Sequence, residues 1–144
     1  FCYSFMSYTA TVVEVAVDAK GEVRVLAVDM ALDCGPQINP ERIRAQMEGG
    51  AIMGLSLALL GEITFERGRV KQNNFYDYEV LRHAASPRVI RTHLVNDDHG
   101  LPPGGVGEPP VPPVAPALCN AIFAATGERV RDLPVRTVAW HGPA

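Results

Sequence analysis

The sequence predicts an α+β fold, with β-hairpins packed on one long glycine-containing helix and a short second helix towards the C-terminus. Three observations predict it. Residues 9–32 carry β-branched runs on either side of a turn. Asn39-Pro40-Glu41 opens a stretch of helical periodicity that reaches to about Leu60. A glycine- and proline-rich stretch, 104–116, runs into a second apolar segment, 114–126, that stops at Gly127.

Each element has its own reason. Thr9 to Asp18 places Val13, Val15 and Val17 on one face at period two. Asp18 to Glu22 is a turn, and Val23 to Leu32 is the returning strand. That strand is apolar on both faces, which predicts cover on both sides. Asn39 is a helix-capping residue, Pro40 suits the first helical position, and Glu41 puts an acid in the first turn. Ile43, Met47, Leu55 and Leu59 form the predicted buried stripe. Gly49, Gly50 and Gly54 oppose this helix, each by about 1 kcal/mol relative to alanine. A backbone or a ligand packed on the same surface would offset that cost, and Gln46 lies one turn before Gly50.

Beyond the helix, Ile63–Phe65 and Arg69–Lys71 flank a turn at 66–68 and read as a second hairpin. Asn73 to Leu81 is aromatic and polar, a packed loop or an interface. Val89 to Val95 is a further strand. Glu128 to Trp140 is charged and extended, an edge strand or a docking tail.

A chain of 144 residues supports one core, and its 47% apolar and 20% charged residues are ordinary for a globular protein. A net charge of −3 offers no attraction to nucleic acid or an anionic membrane, and no apolar run approaches the roughly 20 residues of a membrane span. Cys2, Cys34 and Cys119 are dispersed, so neither a zinc nor an iron–sulfur site is indicated within the chain. His83, His93, His99 and His141 lack metal-ligand spacing. The start at Phe1 carries no initiator methionine and no signal-peptide pattern, as expected of a piece of a larger chain. The compartment, cytoplasmic or periplasmic, stays open.

The chemistry concentrates in Gly104-Gly105-Val106-Gly107-Glu108-Pro109. Glycines let a backbone approach another molecule closely. Pro109 disfavours the α region at Glu108 and stiffens its exit. Prolines 112, 113 and 116 fall at or before the first turn of the following helix, where an N–H has no helical partner. A carboxylate on a rigid loop near a helix N-terminus suits a general base. The same glycines could instead cradle an anion, but no Lys-Ser/Thr follows them and Glu108 would repel a phosphate. Ser4, Ser7 and Ser56 sit in no nucleophile-elbow context.

Taken together, Asp33-Cys34-Gly35, Ile38-Asn39-Pro40, Arg44-Ala45-Gln46-Met47-Glu48-Gly49-Gly50, Asn74-Phe75-Tyr76-Asp77-Tyr78, Gly104 to Pro109 and Pro112 to Ala117 resemble the C-terminal end of the molybdenum-binding large subunit of the xanthine dehydrogenase/aldehyde oxidase family. Within that family the chain looks like the isoquinoline 1-oxidoreductase β-subunit type. The resemblance covers nearly the whole chain and implies that residues 1–144 are an incomplete, C-terminal segment of a molybdopterin-binding domain.

It further implies hydroxylation of a carbon in an aldehyde or N-heterocycle with oxygen from water. Glu108 would be the general base. Gln46, Gly105, Val106 and Gly107 would lie against a molybdenum-pterin cytosine dinucleotide shared with the rest of the large subunit. Iron–sulfur clusters on a small partner subunit would carry electrons away. Pro110 stands where relatives often have glycine, and Cys119 where alanine is common. Two other readings remain: a non-catalytic structural or assembly module of the same fold, and a small anion-binding protein using the glycine loop.

Overall fold

The computed structural model describes residues 1–135. The order of elements is β1 (Cys2–Ser4), β2 (Ser7–Val17), β3 (Val23–Asp33), α1 (Pro40–Leu59), β4 (Phe65–Glu66), β5 (Arg69–Val70), a 3-10 turn (His83–Ala85), β6 (Val89–Leu94) and α2 (Val114–Thr126). Four strands form one sheet in the order β1-β2-β3-β6, antiparallel except for the parallel β3–β6 pair. The small β4–β5 hairpin stands apart from it, turning at Arg67-Gly68, both with positive φ. The α+β expectation is met.

One face of the sheet is covered, with α2 over β2 and α1 over β6, and the two helices touch each other. Val13, Val28, Met30 and Leu32 point into this layer and meet Met47, Leu55, Leu118 and Ile122. The opposite face is open among the described residues. It carries Tyr3 and Tyr8, whose rings stand 4.6 Å apart, exposed Val12, and Asp29. Asp29 accepts hydrogen bonds from Arg91 (2.9 Å) and His93 (3.0 Å). The His93 hydrogen bond first, then Arg91, holds the Asp29 carboxyl below its ordinary pKa.

Among the described residues the predicted two-sided cover of β3 is therefore not found. The reason is a register shift opposite Glu14/Val15: Ala27 pairs with Glu14 and Val25 with Val15, leaving Leu26 as an extra residue. Inward positions are Val28, Met30 and Leu32 above the bulge and Val23 and Val25 below it. A one-residue slip moves side chains to the other face, so a strand covered on one side reads as apolar on both.

Helix α1 begins as its sequence dictates. Asn39 accepts from the Arg42 N–H at 3.1 Å, and Pro40 takes the first turn. Its buried stripe is made mostly of small residues: Ile43, Met47, Gly50, Ala51, Gly54, Leu55 and Ala58. Leu59, expected in the stripe, is half-buried. The glycines divide by contact. A Cβ at Gly50 would collide with the Pro110 ring, and one at Gly54 would come within 2.6 Å of Val114 Cβ. A Cβ at Gly49 would meet nothing. Close packing of the 108–114 segment thus accounts for two of the three. Pro110 is itself fully buried against this groove, while Cys119 is only half-buried.

Helix α2 buries Val114, Leu118 and Ile122 and ends at Gly127, whose left-handed φ of 76° and N–H to Phe123 O (2.8 Å) close it as predicted. After it, residues 128–135 form no strand. They dock, with the Val135 N–H on Ala58 O at 2.7 Å and Val135 buried. Trp140 and His141 lie outside the described residues.

The contact pattern separates the three helix glycines experimentally. In the complete native protein, Gly49→Ala should raise stability by up to about 1 kcal/mol through helix propensity. Gly50→Ala and Gly54→Ala should each lower it by about 1–3 kcal/mol through overpacking. Thermal unfolding of the three variants checks the order, and equal effects at all three positions would contradict this packing.

Candidate active site

The glycine loop has no regular structure and is held by contacts with three distant parts of the chain. The Gly104 N–H donates to Cys34 O at the end of β3 (2.8 Å), and the Gly105 N–H to Phe5 O (2.7 Å). The Ser7 hydroxyl, fully buried, donates to Gly105 O at 2.7 Å. From α1, Gln46 Nε2 donates to Gly107 O at 2.6 Å. A Cβ on Gly104 would strike Ser7 Oγ and come within 2.8 Å of Met6 O. One on Gly105 would lie 2.7 Å from Phe5 Cβ. These two positions need glycine because the β1–β2 turn presses against them.

That turn is unusual. Phe5 and Met6 both take positive φ, 51° and 63°, a hairpin geometry normally given to Asn or Gly. It directs the Phe5 carbonyl and the Ser7 hydroxyl to the loop. No turn-forming residue type marks it in the sequence, so neither β1 nor these anchors can be anticipated from local pattern. The sequence context of Ser7 bears only on a nucleophilic role, which it lacks, and the bond to Gly105 gives it a positioning role instead.

Gly107 differs from its neighbours. A Cβ there would meet nothing within 4 Å and its φ is not positive, so nothing inside the chain requires glycine. It lines a cavity of about 380 Å3 with Val106, Gly104, Gln46, Arg42 and Ile38. Among the described residues, the N–H groups of Val106, Gly107 and Glu108 have no hydrogen-bond acceptor. Gln46 keeps one amide N–H and accepting capacity on Oε1 after bonding Gly107. Open space, unused donors and a glycine with no internal reason form a cradle that fits a close-lying, hydrogen-bonding group such as a pterin cofactor.

Glu108 follows directly on this wall. Its backbone is fixed on both sides. Its carbonyl accepts from the Val111 N–H at 3.0 Å, and Pro109 and Pro110 behind it are fully buried. Its side chain is exposed and, among the described residues, makes no hydrogen bond or ion pair. It is not itself a wall residue of the cavity. The turn at 108–111 and Pro112-Pro113 stand between it and the first residue of α2, Val114. The buried prolines and Gln46, and not the first turn of α2, hold Glu108 in place.

Elsewhere the chemistry is sparse. Among the described residues no three of His, Cys, Asp and Glu gather as metal ligands, and no helix is long and apolar enough to cross a membrane. Burial raises the pKa of the Cys34 thiol, with the charge of Asp33 adding to it. Phe75 and Tyr76 are exposed on a loop that Asp77 ties together by accepting from the Asn73 and Asn74 N–H groups.

Comparison with known proteins gives this geometry a context. A family model described as the molybdopterin cofactor-binding domain matches residues 2–87, which takes in the sheet's β1–β3, α1 and the Gln46 side of the cavity but not Glu108. The chain is 38% identical over 130 residues to a nicotinate dehydrogenase polypeptide of Pseudomonas putida, a span that necessarily includes the glycine loop. It is 36% identical over 118 residues to the β-chain of isoquinoline 1-oxidoreductase from Brevundimonas diminuta. These alignments cover 90% and 82% of this chain but only 11% and 15% of the relatives. Among solved structures, the aldehyde oxidoreductase from Desulfovibrio desulfuricans superposes with a TM-score of 0.74 at 29% identity, over 91% of this chain and 15% of that one. Sequence and fold thus agree, and the chain belongs to the xanthine dehydrogenase/aldehyde oxidase family, as part of its molybdopterin cofactor-binding domain.

Proposed function

We propose that these residues are the C-terminal segment of the cofactor-binding domain of a molybdenum hydroxylase, and that Glu108 is its general base. The observation that carries the proposal is the pairing of an unengaged, backbone-fixed carboxylate with the adjoining cradle at Gly107. The names of the relatives, which point to isoquinoline, nicotinate and aldehydes, support an N-heterocycle or an aldehyde as substrate. On this reading water is the oxygen source. The cofactor takes the cytosine dinucleotide form and is completed by the remainder of the large subunit, and a small iron–sulfur subunit is the electron outlet.

When bound, the molybdenum cofactor supplies the redox centre that takes up the electron pair released from the substrate carbon. The remaining tasks fall to residues of this chain. Glu108 accepts, at a carboxylate oxygen, the proton of the water whose oxygen reaches the substrate. Removing that proton is what makes the oxygen nucleophilic at neutral pH. Gln46 holds Gly107 and so limits the positions open to the next residue. Gly107 keeps side-chain bulk away from the cofactor side of the loop, Gly105 anchors the loop against Phe5, and the N–H groups of Val106 and Gly107 are available to the cofactor.

In the complete enzyme, Glu108→Gln should lower turnover by about 10²–10⁴-fold, the usual worth of a general base, with molybdenum content unchanged. Steady-state kinetics beside metal analysis measures both. Turnover within a few-fold of the parent would remove Glu108 from the role, and a native protein devoid of molybdenum would favour the assembly-module reading. A second outcome concerns the loop's anchor. Ser7→Ala removes a buried donor to Gly105 O and should destabilise by about 1–3 kcal/mol. It should also reduce turnover per bound molybdenum, because Glu108 then sits on a looser loop. Calorimetry and metal-normalised kinetics would expose the opposite result, a normal rate on a normal fold.

A further inference from the structure

We infer that Arg42 is the residue with which this chain grips a phosphate group of the cofactor; the inference rests on the cavity being a molybdopterin site. Arg42 lies one helical turn before Gln46 on α1, and the two share a face. Both line the cavity beside the glycine loop. Among the described residues, Arg42 is the only charged one that lines it, and no carboxylate does. Among the described residues its guanidinium makes no hydrogen bond or ion pair. Its neighbour Arg44, by contrast, is spent on Glu41 and on Thr92 O.

The surroundings select an anion. Among the described residues, the second amide N–H of Gln46 and the backbone N–H groups of Val106 and Gly107 are donors without acceptors. Together with an unpaired guanidinium they give the space a surplus of donors, with the Gln46 Oε1 as a neutral acceptor beside them and no carboxylate in the lining. Ile38, 77% exposed at this wall, supplies an apolar surface for the body of the same ligand. Arginine's planar fork matches phosphate oxygens bidentately, and charge-assisted bonds of this kind are the strong ones. The anion belongs to the cofactor and not to the substrate for a geometric reason. The reacting carbon must come within reach of a water at Glu108, and Glu108 does not line this cavity. The cavity is therefore filled by the group lying beside the substrate.

The test uses the complete native enzyme with Arg42→Ala and Arg42→Lys. Molybdenum and released pterin are measured per protein, and the cofactor-stripped forms are titrated with pyrophosphate by thermal shift. Arg42→Ala should lose at least about fivefold in cofactor content, as expected for a lost charge-assisted bond to an anion. Arg42→Lys should recover part of it, and pyrophosphate should stabilise the stripped parent more than stripped Arg42→Ala. The side chain is exposed and unpaired, so the thermal unfolding of both stripped variants without ligand should match the parent. Full cofactor content in Arg42→Ala would overturn the inference, and so would a raised KM confined to carboxylated substrates with cofactor retained, which would make the anion the substrate's. Failure of the base assignment shows itself separately, as undiminished turnover in Glu108→Gln.

Discussion

The site depends on a loop that cannot hold itself. Residues 104–107 form no ladder and no helix, so their backbone groups must find partners elsewhere or face solvent. Four borrowed hydrogen bonds fix them, from Cys34, Phe5, Ser7 and Gln46. These partners come from the end of one strand, a hairpin turn and the middle of a helix. The loop is therefore only as well placed as the sheet and α1 are placed relative to each other. That relation is set by the layer of Met30, Leu32, Met47 and Leu55, all almost fully buried. Packing in the core reaches the catalytic candidate through hydrogen bonds of ordinary strength, and the chain between Gly107 and Pro110 transmits it to Glu108.

Glycine serves two opposite purposes along this route. At Gly50, Gly54, Gly104 and Gly105 the missing side chain is replaced by other parts of the same chain: Pro110, Val114, Ser7 and Phe5. There the glycines lock the loop and α2 against α1 and the first hairpin. At Gly107 the missing side chain is replaced by nothing, on the wall of a cavity. A composition-level reading treats all of these alike. Only the contact each Cβ would make separates a glycine that tightens the fold from one that leaves room for a ligand.

Much of the fold is legible in the sequence because its signals are local. The Asn39-Pro40-Glu41 start of α1, the Gly127 stop of α2, the turn between β2 and β3 and the extent of β6 each follow from residues within a few positions. The β1–β2 hairpin is not legible, because Phe5 and Met6 adopt positive φ without being the residue types that favour it. The cover of β3 is misjudged from its pattern because a bulge shifts its inward register by one residue midway along the strand. In the site, the rigid loop and its carboxylate can be read from glycine and proline spacing. The Gln46–Gly107 bond spans 61 positions and the Ser7–Gly105 bond 98, so no short-range pattern encodes either. Gln46 stands out in the sequence only because glycines follow it, and two of those glycines turn out to serve Pro110 and Val114.

The exposure of Glu108 follows from the same physics. An ionised carboxylate taken out of water without a partner carries a heavy desolvation penalty, as do unmatched backbone donors to a smaller degree. Here Gly107 and the Glu108 carboxylate are exposed, and among the described residues the three N–H groups from Val106 to Glu108 have no acceptor. Nothing in the chain has to be strained or neutralised to keep them ready. A ligand settling against Gly107 would bring its own acceptors to one side of the loop. It would leave the carboxylate on a backbone already immobilised by Pro109, Pro110 and Gln46. Rigidity of the main chain combined with an unengaged side chain is what a proton acceptor requires. The structure meets both conditions by burying Pro109 and Pro110 behind the loop and leaving the Glu108 carboxylate exposed.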